Sequence, residues 1–196
     1  MTSFAATPTD STQQDPRDDL QNHIPSLRAF AISLTRNVSE ADDLVQETIL
    51  KAWSNIEKFT VGTDMRAWLF TILRNTFFSS KRKTRREVSD TDGTHAATMF
   101  EKPHHDGRLA FTDFSHAFDK LSPEHREVLI LVGANGYSYE EAAGMMGVAI
   151  GTAKSRANRA RARLCELLGM AEGEDILSEQ SGATLAVMGR SGIQAA

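Results

Sequence analysis

The chain has 196 residues, a formal net charge of −4 and a single cysteine, and 40% of its residues are hydrophobic. These values are ordinary for a globular protein with one or two small domains. They exclude an intrachain disulfide, and the longest apolar run, Val128 to Ala134, is too short to cross a membrane. Because the lone Cys165 fits a reducing compartment, we expect a cytoplasmic protein.

The chain opens with a polar segment, residues 1–16, which we expect to be disordered. The first amphipathic helix follows and carries apolar residues at helical spacing, namely Leu27, Phe30, Ala31 and Leu34. Ser39 is the expected N-cap of the next helix, because its hydroxyl can accept a bond from an unpaired backbone N–H.

The second helix has two chemically different faces. Its pattern predicts a buried stripe of Val45, Ile49, Ala52, Trp53 and Ile56. The other side is mainly acidic and consists of Asp42, Asp43, Gln46, Glu47 and Lys51. A charged face of this kind is either solvated or a docking surface, and the helix alone leaves both interpretations open.

A loop, residues 59–64 with Gly62 as its hinge, precedes a third helix that starts near Met65. Its inward residues are predicted to be Trp68, Leu69, Ile72, Leu73 and Phe77. From Arg66 to Arg86 there are seven Lys or Arg residues and no acid. Asn75 is a poor residue for a helix interior, so we expect it to contact either nucleic acid or a neighbouring helix. These segments predict one all-helical domain over residues 17–87.

Residues 88–110 show little periodicity, which predicts a flexible linker to a second helical domain over residues 111–169. That domain is predicted to begin with a helix from Phe111 to Lys120. A second helix spans Glu124 to Ala134, with Ser122 as its N-cap and Pro123 at its first position. The acidic tail, residues 170–196, is expected to be disordered.

The most informative stretch is Ser138 to Leu164, which reads as a helix-turn-helix. Ser138 and Glu141 form a capping box, so the first helix is predicted to start at Tyr139, and Gly147 ends it. Val148 and Ile150 are the expected apolar anchors at the corner. The second helix has a narrow apolar stripe of Ala153, Ala157, Ala160 and Leu164. Its basic residues, with no acid before Glu166, are Lys154, Arg156, Arg159, Arg161 and Arg163.

Four motifs carry a resemblance to a known family: DDLVQETILKAW, MRAWLFTILRNTFFSSKRKTRRE, LSPEHREVLILVGANGYSYEEAA and GTAKSRANRARARL. Their order and spacing resemble the extracytoplasmic-function (ECF) sigma factors, and their details are most similar to the EcfG type of the general stress response. The resemblance implies an all-α fold of two small domains, sigma region 2 and sigma region 4, joined by the flexible linker. It also implies promoter-specific initiation of transcription with core RNA polymerase, and a NepR-type anti-sigma factor as a further partner.

The resemblance assigns three groups of site residues. Region 4 would read the minus-35 element, near GGAAC, through Thr152, Lys154, Ser155, Arg156, Arg159, Arg161 and Arg163. Region 2 would bind the minus-10 element through Thr60, Gly62, Asp64, Arg66, Arg74, Asn75, Lys81, Arg82, Lys83, Arg85 and Arg86. Core polymerase would bind Asp42, Asp43, Gln46, Glu47 and Lys51.

We expect no catalytic residue, cofactor or metal, because no nucleotide loop, metal-ligand spacing or nucleophile with a base is recognisable. The pair His104 and His105 has no carboxylate or cysteine at ligand spacing.

Two other classes of protein remain as alternatives. A sigma mimic of the PhyR type binds the anti-sigma factor without DNA, and would be expected to carry a receiver domain after its sigma-like part. A dimeric helix-turn-helix repressor binds operators without polymerase, and would need neither the acidic helix nor the DDLVQET motif.

Overall fold

The computed structural model describes residues 15–89 and 108–170, and within these ranges it is helical without strands. The first unit contains α1 (Pro16–Asp19), α2 (Ile24–Thr35), α3 (Val38–Ser54) and α4 (Met65–Ser89). The second contains α5 (Arg108–Asp119), α6 (Pro123–Leu129), α7 (Tyr139–Met146) and α8 (Ile150–Leu168). The expected all-α fold with two helical units is confirmed.

The ends of the first two long helices follow local capping chemistry. Arg36, with a φ of 61°, closes α2 in the left-handed region. Asn37 has an extended backbone, and its side chain accepts a hydrogen bond from the Glu40 N–H. The N-cap of α3 is therefore Asn37, and the prediction of Ser39 was wrong because Ser39 already lies inside the first turn.

The core of the first unit lies between α2, α3 and α4. Phe30 and Phe70 are fully buried, and their ring centroids are 4.7 Å apart. Trp53 was predicted to be buried, but 54% of its surface is exposed, and the Arg17 guanidinium lies 5.4 Å from the centre of its ring. Ala52 fills the inward position instead. The next residue is rotated by about 100° around the helix, which turns Trp53 towards solvent.

Both edges of the predicted linker are helical. Helix α4 continues to Ser89, and α5 begins at Arg108, so each helix extends into the range 88–110. Residues 90–107 lie outside the described residues. The same is true of residues 1–14 and 171–196, which contain most of the segments expected to be disordered.

The second unit begins as predicted, with Ser122 accepting a hydrogen bond from the His125 N–H and Pro123 at the first position of α6. The predicted helix to Ala134 changes type on the way. After Leu129 it becomes a π-helical turn, Ile130–Ala134, in which the Asn135 N–H and side-chain amide both donate to the Ile130 carbonyl. Such a turn widens the helix and shifts the chain that enters α7.

The helix-turn-helix is confirmed in its local details. Ser138 and Glu141 make both bonds of the capping box, and Gly147 ends α7 with a φ of 64°. Ala153, Ala157, Ala160 and Leu164 form the buried stripe of α8. Ile150 is 43% exposed, so of the two expected corner anchors only Val148 packs on the core. Ile150 opens α8 after the extended Ala149 and faces outwards.

The two helical units pack against each other in this structure. Helix α6 contacts α2, and α7 contacts α4. The Arg126 guanidinium bridges them, because its Nη2 donates to the Leu34 carbonyl at 2.8 Å. Among the helices that the structure describes, none has the length and apolar character needed to span a bilayer.

Candidate nucleic-acid interface

The predicted minus-35 residues all lie on α8, but they differ in accessibility. Lys154, Arg159 and Arg163 are exposed, and Arg163 also bridges Glu166 at 2.6 Å. The other four residues of this group are half-buried: Thr152, Ser155, Arg156 and Arg161. The structure therefore brings this group together on one helix with a cationic surface.

The solvent side of α8 is opposite its alanine stripe. Ser155, Asn158 and Ala162 follow one another at helical spacing there, and Arg159 lies beside them. Asn158 is exposed and was missing from the sequence-based set. The signal was present, because an asparagine inside a helix is unfavourable and its amide can pair with the edge of an adenine.

Tyr139, the first residue of α7, holds two of the flanking cations. The Arg161 Nη1 donates to its hydroxyl at 2.9 Å, and the Lys154 Nζ lies 5.8 Å from the centre of its ring. Contacts with an aromatic ring and hydroxyl restrict long side chains without neutralising them. The first helix of the motif thus positions positive charge on the second.

Arg156 is directed inwards rather than wholly to solvent. Its Nη1 is buried and has no hydrogen-bond partner. The pKa of His125 is lowered, first by burial and further by the positive charges of Arg159 and Arg156, against the opposing charge of Glu124. Arg156 therefore lies close to α6.

The predicted minus-10 residues at the start of α4 form a compact group. Asp64 caps the helix by accepting from the Ala67 N–H, and its second oxygen accepts from the Tyr137 hydroxyl at 3.1 Å. Burial, followed by the charge of Asp64, raises the pKa of Tyr137 to about 12. The Arg66 guanidinium lies over the rings of Phe70 and Tyr137. Thr60 and Gly62 are exposed in the preceding loop.

Arg74 and Asn75 lie in the middle of α4. The Arg74 Nε donates to Glu127 at 2.7 Å, its Nη1 donates to the Asn75 side chain, and its guanidinium lies over the Phe78 ring. Asn75 is exposed. Its hydrogen-bond partner in this structure is thus the adjacent arginine rather than a residue of a neighbouring helix.

The last part of the minus-10 group is the exposed basic end of α4, consisting of Lys81, Arg82, Lys83, Arg85 and Arg86. Lys81 lies over the Phe77 ring, and Arg82 donates to Ser79. A helix rises about 1.5 Å per residue, so Lys81 is about 25 Å along α4 from Asp64. The structure does not gather this group at one point but spreads it along a helix.

The residues predicted to bind polymerase separate into two kinds. Asp42 is tied to Arg28 by a 2.6 Å ion pair, which lowers the pKa of the Asp42 carboxyl. Lys51 bonds Glu47 at 2.7 Å and the Thr76 hydroxyl at 3.0 Å. The exposed stripe of α3 runs through Asp43, Gln46 and Glu47, then continues into Leu50 and Trp53. Leu50 is 69% exposed.

Two buried charges on α6 were absent from the sequence-based interpretation. Glu127 is fully buried and pairs with Arg74, while its second oxygen, Oε2, has no hydrogen-bond partner. Arg126 is also buried and donates to the carbonyls of Leu121 and Leu34. Charged residues in a short polar helix normally face solvent, so the sequence held no signal for this burial.

Glu127 gives the protein a pH-dependent stability. Burial raises its pKa to about 7, and the attraction of Arg74 and Arg156 only partly opposes this. The folded chain therefore holds the proton of the Glu127 carboxyl more tightly than the unfolded chain does. For this reason the contribution of Glu127 to the free energy of unfolding is greatest below pH 4.5. It is lost as the pH rises through 7.

We therefore expect the wild-type chain to lose about 1 kcal/mol of unfolding free energy between pH 6 and pH 8 relative to Glu127→Gln. Urea denaturation at both pH values measures this difference. The Gln variant keeps His125, the nearby histidine, so the comparison isolates the carboxyl. Equal pH dependence in the two chains would contradict a raised Glu127 pKa.

Within the parts of the chain that the structure describes, no three His, Cys, Asp or Glu side chains cluster to hold a metal ion. His104 and His105 lie outside those parts.

Comparison with known proteins identifies both units. Residues 20–87 match the sigma-70 region 2 family, and residues 112–164 match the sigma-70 region 4 family. The ECF RNA polymerase sigma factor EcfG of Rhodopseudomonas palustris is 55% identical, over 81% of this chain and 88% of that protein. The ECF sigma factor SigE of Mycolicibacterium smegmatis is 32% identical, over 76% of this chain and 60% of that protein.

A solved structure agrees with the sequence relatives. It shows the sigma factor RpoE of Bartonella quintana in complex with the anti-sigma factor NepR. The RpoE chain is 50% identical to this chain. The match has a TM-score of 0.70 and covers 78% of this chain and 96% of that one. The chain therefore belongs to the ECF sigma factors of the sigma-70 family, the proteins that direct RNA polymerase to specific promoters.

Proposed function

We propose that this chain directs core RNA polymerase to promoters of general stress response genes. The proposal depends above all on α8, whose exposed side presents Ser155, Asn158 and Arg159 between cations that Tyr139 positions. This arrangement suits major-groove reading of the minus-35 element. The similarity to EcfG supports the stress response assignment.

The two units would divide the work. Region 2, over residues 17–87, would bind polymerase through α3 and the minus-10 strand through α4 and the loop before it. Region 4, over residues 111–169, would bind the minus-35 element, and residues 88–110 would link the two. The basic end of α4 would follow the phosphate backbone, because five cations lie exposed there within six residues of one helix.

The polymerase-binding stripe would consist of Asp43, Gln46, Glu47, Leu50 and Trp53. Acidic residues would steer the encounter with a basic helix surface, and the two apolar side chains would anchor the contact. Asp42 and Lys51 would support this stripe from the side through their ion pairs with Arg28 and Glu47.

The chain would act in the cytoplasm, where polymerase and promoter DNA are found, and without enzymatic activity of its own. The structure of RpoE with NepR supports a NepR-type anti-sigma factor as its inhibitory partner. Phosphoryl transfer would remain with the polymerase.

Run-off transcription tests this proposal. Purified core polymerase is supplied with a template carrying an upstream GGAAC element, with and without the chain. We expect a specific transcript only when the chain is present and the element is intact. Absence of the transcript, together with capture of a NepR-type protein, would instead support the sigma-mimic alternative.

We also expect Arg159→Ala to weaken binding of the holoenzyme to promoter DNA and to flatten its salt dependence. Loss of one phosphate contact reduces the slope of log K against log salt concentration by about 0.9. Lys120→Ala is a matched control, since Lys120 is an exposed cation of the same unit outside α8. Fluorescence anisotropy at four salt concentrations gives the slopes, and equal slopes in both variants would remove Arg159 from the interface.

A further inference from the structure

The contact between the two units uses residues that belong to the proposed promoter-binding surface. Arg74 pairs with Glu127 across the contact, and Asp64 accepts from Tyr137. The Arg66 guanidinium lies over the Tyr137 ring. Asp64, Arg66 and Arg74 all belong to the proposed minus-10 surface. In this arrangement α6 and the segment before α7 therefore occupy part of that surface.

The chemistry of the contact centres on Glu127. This fully buried carboxylate binds Arg74 through one oxygen, while the other oxygen has no hydrogen-bond partner. Arg156, from the proposed minus-35 set, is near enough for its charge to lower the Glu127 pKa, and its own Nη1 is also unpartnered. One carboxylate thus lies between a cation of each proposed DNA-binding surface.

The packed arrangement is too small to read a promoter. The minus-35 and minus-10 elements are named for their positions on the promoter, so about 25 base pairs separate them. At roughly 3.4 Å per base pair, this separation corresponds to about 85 Å. A helical unit of this size has a radius of gyration of about 10 Å. With Arg74 and Glu127 only 2.7 Å apart, the two units cannot reach both elements at once.

We propose that Glu127 latches region 4 onto region 2 by holding Arg74, and that the free chain is closed and unable to span a promoter until this latch opens. The inference rests on the proposed function, because it assigns Arg74 to the minus-10 surface. Two further contacts assist the latch. Arg36 meets Asp119 at 3.3 Å across an exposed part of the contact, and Arg126 reaches the Leu34 carbonyl.

A charge swap tests the latch in the free, full-length chain. In a Cys165→Ala background, Glu57→Cys and Glu166→Cys provide exposed positions for spin labels, one in each unit. Pulsed electron paramagnetic resonance then measures the distance between the two spin labels. We expect one short distance for the unswapped chain and a longer, broader distribution for Arg74→Glu, because two carboxylates then face each other. Combining Arg74→Glu with Glu127→Arg is expected to restore the short distance.

The matched control is Arg85→Glu, which makes the same charge change on an exposed part of the same helix. It is expected to leave the short distance unchanged. A short distance in Arg74→Glu, or a broad distribution in the unswapped chain, would overturn the latch. Because Arg74 is only half-buried, we expect the Arg74→Glu variant to fold, and circular dichroism verifies its helix content. This variant therefore tests the latch even if Glu127→Arg alone does not fold.

These distances need neither polymerase nor DNA, so they separate the latch from the proposed function. If the chain is active in run-off transcription but Arg74→Glu leaves the distance between the labels unchanged, only the latch is overturned. A chain that opens and closes as expected but produces no specific transcript would overturn the proposed function alone.

Discussion

Replacing Arg126 by Met is expected to lower the free energy of unfolding by about 2–4 kcal/mol. The guanidinium is buried and donates to the carbonyls of Leu121 and Leu34 at 2.8 Å, and to that of Asp119 at 3.3 Å. Methionine has a similar length but no hydrogen-bond donor, so these carbonyls lose their partner. Each carbonyl left without a partner costs about 1–3 kcal/mol of stability. Burial, followed by the charge of Arg36, lowers the Arg126 pKa to about 10, so removing the charge offsets part of that cost.

Urea denaturation followed by circular dichroism measures the effect. The matched control is Arg85→Met, an identical substitution at an exposed position of α4, which is expected to change stability by less than about 0.5 kcal/mol. If both variants unfold at the urea concentration of the wild-type chain, the Arg126 bonds contribute nothing to stability.

Features that depend on neighbouring residues along the chain were predictable from the sequence. The capping box of Ser138 and Glu141, the left-handed Gly147 and the Ser122 cap each satisfy backbone groups within one turn, so short motifs determine them. The alanine stripe of α8 was equally clear, because its period matches one face of a helix. The basic side of α8 followed from that stripe, whereas its assignment to the minus-35 element came from the family resemblance.

Features set by distant parts of the chain were not predictable. Trp53 looks like a core residue, yet Ala52 takes the inward position, and solvent and Arg17 cover the indole. Glu127 and Arg126 look like surface residues, yet α2 and α4 cover them. For Glu127 and Arg126 the deciding neighbours lie tens of residues away, and hydropathy in a local window carries no information about them.

The contact between the two units changes how the candidate site is understood. The sequence predicted two helical domains on a flexible linker, and the resemblance assigned Arg74 and Arg156 to DNA contacts. The structure instead places Arg74 in an ion pair and Arg156 partly inside the second unit. Among the proposed DNA-binding cations, those of the basic end of α4 and Lys154, Arg159 and Arg163 of α8 are exposed, so the two ends of the proposed DNA path are exposed while its middle is covered.

Substituting Leu50→Ser together with Trp53→Ala is expected to weaken binding to core polymerase at least 30-fold, the equivalent of about 2 kcal/mol. Both side chains are large, apolar and more than half exposed, and they continue the stripe of Asp43, Gln46 and Glu47 on α3. Their exposure also means that the fold tolerates the change. Surface plasmon resonance on immobilised core enzyme measures the loss, which is expected mainly in the dissociation rate.

Two matched variants show whether the anchor is apolar or ionic. Ile24→Ser removes an exposed apolar side chain from α2 and is expected to leave polymerase binding unchanged. Asp43→Ala with Glu47→Ala removes charge from the stripe, so it is expected to slow association chiefly at low salt. If this acidic pair alone accounts for the affinity and the Leu50 and Trp53 substitutions have no effect, polymerase recognises the face by charge, and the exposed indole has no part in docking.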